Sequence, residues 1–163
     1  MAFQSTINKL QAPGIPGEFA DNSPRTVQPA ILNGTTDVLP TIGRVFTYTA
    51  PTTDPLKVTL GGAAANFAGV LVNPKELVRA NGLTAGLEVA EDSIGSICRE
   101  GHIWVKVDAA VTIGSIPVYN TTTGTISGYT GETVPSGYAA IPNAKFVLVN
   151  SAADGLAVLE LNR

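Results

Sequence analysis

The sequence predicts an all-β protein, a β-sandwich or barrel of jelly-roll or related topology, with an extended N-terminal arm over residues 1–43 and one short helix near 74–81. Three observations carry that expectation. From Arg44 onward, short runs rich in β-branched and aromatic residues alternate with Gly, Pro, Asn, Asp or Ser, the pattern of many short strands joined by turns. Only one stretch in that region has the boundary signals of a helix. Before Arg44, five of the eleven prolines, Pro13, Pro16, Pro24, Pro29 and Pro40, interrupt a segment that sustains neither strand nor helix periodicity.

The arm comes first. Proline lacks a ladder donor and biases its neighbour toward extended backbone, so PGIPGEF and NSPRT are expected to run as extended or turning chain. Phe3, Ile7, Leu10, Ile15, Phe19, Val27, Ile31 and Leu32 recur along it as apolar anchors. The first seven are the expected contact residues, toward another polypeptide. Fully extended, the arm would reach at most about 140 Å. The alternative is that it wraps back and completes a sheet of its own domain.

The β domain, 44–163, follows. Expected strands are 44–49, 56–60, 66–72, 86–90, 94–98, 102–107, 116–119, 124–127, 138–141, 145–149 and 156–161. Their number and spacing favour a sandwich or barrel over a parallel sheet with crossover helices. In HIWVKV, Ile103, Val105 and Val107 share the better core face. Trp104 then lies on a partly exposed face, or the sheet is covered on both sides. Asn73 as cap, Pro74 at the first helical position and Gly82 past the end mark the helix. The Thr- and Gly-rich stretch 121–137 reads as a projecting loop.

Composition narrows the function. The chain has 163 residues, enough for one domain with a real core. Charged residues are 14% of the total, against about 25% in an average domain, which leaves a surface that a partner can cover with little desolvation. A net charge of −3 and scattered Lys and Arg argue against a nucleic-acid partner. The most apolar segment, 61–72, is too short to span a bilayer, so no membrane partner is expected.

Chemistry-bearing residues are few. With one His and one Cys, the chain lacks the ligand spacing of a common zinc site. His102 reads as a surface or interface residue and Cys98 as a small buried filler. Glu88, Glu91 and Asp92 read as a solvated turn, since they lack the spacing of a calcium loop. Phosphate-loop, dinucleotide and nucleophile-elbow motifs are absent. No catalytic, cofactor-binding or metal residues are assigned, and the expectation is a protein that is not an enzyme.

One resemblance extends along the chain. AFQSTINKLQAPGIPGEFADNSPRT resembles the opening of the head cement or decoration proteins of tailed bacteriophages, which commonly begin with a Met-Ala-Phe-Gln stretch and a Pro-Gly-Glu/Asp-Phe-Ala motif. NFAGVLVNP, EGHIWVKVDAAVTIGSIPVYNTTTGTI and IPNAKFVLVNSAADGLAVLELN resemble later blocks of that family in the same order. The resemblance implies a non-enzymatic protein on the outer surface of an icosahedral virion, made in the host cytoplasm. Its implied partners are the major capsid protein and other copies of itself, as a dimer or trimer. From another class, a carbohydrate- or receptor-binding β module would use Trp104, Tyr119, Tyr129 and Tyr138 for stacking.

Overall fold

A computed structural model describes residues 14–35, 37–50, 53–73, 87–131, 133–148 and 155–162. Ten strands form in it: β1 Thr26–Asn33, β2 Val45–Ala50, β3 Asp54–Leu60, β4 Phe67–Leu71, β5 Ile94–Lys106, β6 Ile116–Asn120, β7 Ile126–Tyr129, β8 Tyr138–Ala140, β9 Ala144–Leu148 and β10 Leu156–Leu161. A single 3-10 turn, Ala64–Asn66, precedes β4. The expected helix near 74–81 lies outside the described residues.

Seven strands form one sheet in the order β1-β3-β2-β4-β5-β10-β9, and β1 also pairs with β5. That extra pairing closes β1, β3, β2, β4 and β5 into a barrel, with only the β1–β3 pair parallel. Closure removes the two edges that an open five-stranded sheet would expose. Leu32, Phe46, Val58, Leu60, Leu71 and Ile97 fill its interior, with Ile42 and Val89 packed among them from the connecting segments. Beyond the barrel, β5, β10 and β9 face a second sheet, β7-β6-β8. Ile103, Val105, Tyr119, Ile126, Phe146 and Leu159 form the core between them. The fold is all-β, a barrel that continues into a sandwich.

β5 links the two cores. IGSIC and HIWVKV, expected as separate strands, form one strand of 13 residues. Gly101, at φ 124°, stays inside the strand instead of turning it. Just before it, Thr26 pairs with Glu100 and Val27 with Cys98, so Arg99 has no opposite residue. One unmatched residue reverses the inward–outward alternation. Ile97 therefore faces the barrel, whereas Cys98, Ile103 and Val105 face the sandwich core.

Three further differences from the sequence expectation concern connections. Residues 26–33, placed in the arm, form β1: Ala30 and Leu32 point into the barrel while Val27, Pro29 and Ile31 point out. Pro29 is tolerated because this part of β1 pairs with β5 alone, its pairing with β3 starting at Ile31. The stretch 86–90 contributes bridge residues and no full strand within the described residues: Glu88 bridges Thr41, Val89 N–H donates to Pro40 O at 2.8 Å, and Val89 is buried. The expected projecting loop instead contains β7, and its first turn is tied down. Asn120 Oδ1 accepts from the Thr122 and Thr123 amides, and Gly62 N–H donates to Thr121 O at 2.7 Å.

Candidate interaction surface

Upstream of β1, residues 14–21 run back along the second half of β5. Gly17 N–H donates to Trp104 O at 2.7 Å, Trp104 N–H to Glu18 O at 2.8 Å and Ala20 N–H to His102 O at 2.9 Å, while Phe19 bridges Ile103. The segment makes its sharp turn at Gly17, whose φ of 82° suits glycine. A Cβ there would stand 2.4 Å from Ile42 Cγ2 and 2.8 Å from the Asn73 amide nitrogen. Gly14 lies so close over the indole that an added Cβ would be 2.5 Å from Trp104 Nε1. Trp104 is thereby 8% exposed, and the sheet is covered on both sides here.

The far end of this segment carries charge. Asp21 Oδ2 lies 2.5 Å from His102 Nδ1, and Glu160 Oε2 lies 3.3 Å from His102 Nε2 and 3.1 Å from Lys145 Nζ. Hydrogen bonds from the Ser23 hydroxyl and then from His102 hold the Asp21 carboxyl down to about 2. The bond to Asp21, more than the contacts with Glu160, raises the His102 pKa above its ordinary value. His102 is thus an anchoring residue for the segment. Arg25 stacks over the Phe19 ring at 4.3 Å and covers it further.

On the first half of β5 the outward face is open. Across the β1–β5 ladder, Val27 stands opposite Cys98, Pro29 opposite Ser96 and Ile31 opposite Ile94. Ile94 is 71% exposed and Val27 is 39% exposed. Pro29 is exposed and Ile31 half-buried. These residues make an apolar strip with Lys57, the β3 partner of Ile31, at its border. Clustered exposure of this kind marks a contact surface, whereas isolated apolar residues need no explanation.

The expected contact residues therefore fall into separate groups. Phe3, Ile7 and Leu10 lie outside the described residues. Ile15 is exposed beside the covered half of β5, and Phe19 packs against its own sandwich core. Val27 and Ile31 share the open strip. Sequence reasoning placed 94–98 in a strand without singling out Ile94 as a contact residue. In the structure Gly95 and Ile97 are buried and Ile94 is not.

The other candidates have surroundings of their own. Cys98 is fully buried, and its burial pushes the thiol up to about 11, so it is a filler and a poor nucleophile. Glu91 and Asp92 are exposed in the turn before β5. Trp104 and Tyr119 are buried, with the Tyr119 hydroxyl donating to Gly62 O at 3.0 Å. Neither can stack on a sugar, which corrects the expectation for those two; Tyr129 and Tyr138 are half-buried on separate strands.

Comparisons with known proteins bear on what such a surface is for. A family model described as structural cement protein (E217 gp24/Pam3 gp6) matches residues 3–162. Five solved chains match. One of them, from the capsid of Myoviridae Phage XM1, is similar with a TM-score of 0.65 at 19% identity, over 100% of this chain and 99% of that one. At that identity the likeness concerns the fold. No curated protein matches.

Proposed function

The chain belongs to the phage structural cement protein family, and from that premise we propose that it binds the outer surface of an icosahedral head and stabilises contacts between major capsid protein subunits. It is a structural protein of the virion that acts without catalysis. The observation that carries the reading is the open strip of Val27, Pro29, Ile31 and Ile94, an apolar face on a rigid barrel. A surface poor in charge supports it, since a partner covering this face desolvates few ions.

The N-terminal arm adds a second contact. Phe3, Ile7 and Leu10 serve as anchors on the capsid protein or on a neighbouring copy, with Ile15 extending that contact where the chain meets β5. Val27 and Ile31 act from the barrel instead. Copies associate as dimers or trimers, because a shell with rotational axes repeats the same contact around each axis. Repetition over the head raises avidity well beyond the affinity of one copy.

Undecorated expanded heads provide the test. Wild-type protein should bind them and raise their melting temperature. Ile94→Asp, which places a charge in the strip, should keep its own fold and lose about tenfold or more in head binding, as expected when roughly 1.5 to 3 kcal/mol of apolar burial is replaced by a buried charge. Equal decoration by the folded variant would remove the strip from the interface. Absence of binding by the wild type would remove the proposed function itself.

A further inference from the structure

The segment over β5 is fastened by backbone bonds at Gly17, Glu18 and Ala20 and, beyond them, by the imidazole of His102. Both ring nitrogens face a carboxylate: Nδ1 faces Asp21 on the segment at 2.5 Å, and Nε2 faces Glu160 on β10 at 3.3 Å. A neutral imidazole has one N–H and one bare lone pair. Only the imidazolium donates to both.

The surrounding groups sharpen that requirement. Lys145 on β9 approaches Glu160 Oε2 at 3.1 Å, and Asn162 donates to Glu160 Oε1 at 2.9 Å. Ser23 donates its hydroxyl and its amide to Asp21 Oδ1. Glu100 lines the same cleft as His102, Ser23, Pro24 and Glu160. Three carboxylates, Asp21, Glu160 and Glu100, thus surround two cations, one of which can lose its charge near neutral pH.

We propose that protonated His102 is a lock that holds residues 18–23 on β5, and that its deprotonation loosens this strap. When the ring is neutral, one of its two carboxylate contacts ceases to be a hydrogen bond and the other loses its opposite charge. The backbone bonds remain, so the strap loosens from its Asp21 end and does not leave as a unit. This lock operates in the free protein and does not depend on the cement role.

The sign follows from the contacts. Because the folded-state pKa of His102 is raised, chiefly by Asp21, the lock is complete below the ordinary histidine value of about 6.5 and is lost as pH rises through the higher folded value. On the acid side Asp21, held at about 2, keeps its charge until far lower pH.

Amide exchange on the full chain tests the lock between about pH 6 and about pH 9.5, corrected for intrinsic chemistry, with the His102 ring followed by NMR in the same samples. Protection of residues 18–23 should fall about three- to tenfold with the midpoint of the ring, as expected for a partly exposed pair, while the barrel strands stay unchanged. His102→Gln and Asp21→Asn should each show the lower protection at every pH. Trp104, the single tryptophan, lies under the start of the same segment, so its emission gives a second readout. Protection that is constant through the ring's midpoint, or a fall with rising pH that persists undiminished in both variants, would overturn the proposal.

Discussion

The two halves of β5 bury the same kind of residue on one face and treat the other face in opposite ways. In the first half, Ile97 fills the barrel and Ile94 stands outside at 71% exposure. In the second half, Ile103 and Val105 fill the sandwich core, while Trp104 on the other face is closed over by residues 14–20. Because the alternation reverses at Arg99, the side of β5 that is open at Ile94 is packed within the chain at Ile103 and Val105. Burial of the inner faces drives folding, and the exposed strip adds little to it.

Substitutions at five positions should separate these roles. Trp104→Ala removes the floor on which the segment rests, and chemical denaturation should show a loss of about 3 to 5 kcal/mol. Ile97→Ala and Ile103→Ala empty different cores and should each lose about 2 to 5 kcal/mol, which makes the inner faces equivalent. Gly17→Val strains a turn and presses on the Asn73 backbone; a loss of about 1 to 3 kcal/mol is expected, with Trp104 emission shifting toward that of an exposed indole. Ile94→Ala should change stability by no more than about 0.5 kcal/mol. A large loss there would make the strip part of the fold and dissolve the contrast.

Much of the fold was legible where alternation is strong. HIWVKV shows its inner face directly, because successive side chains in a strand point to opposite sides. β1 was hidden by Pro29, which is compatible with a strand only when one side of it is unpaired, and that is a property of the neighbours. The join across Gly101 was equally hidden, since a glycine inside a strand and a glycine in a turn look alike in sequence. Barrel closure depends on β1 meeting β5, two segments far apart in the chain. The cover on Trp104 likewise comes from a distant segment, which is why its two possible environments could not be separated from local pattern. Of the contact surface, Val27 and Ile31 were legible as recurring apolar residues. Ile94 became visible only once the ladder placed it opposite Ile31.

A density map of the decorated head measures the central distinction most directly. The strip of Val27, Pro29, Ile31 and Ile94 should lie against a neighbouring polypeptide, with Ile94 buried, while Trp104 remains covered by its own chain. A map in which Ile94 faces solvent and the head is contacted elsewhere would contradict the division of β5 into a folding half and a docking half.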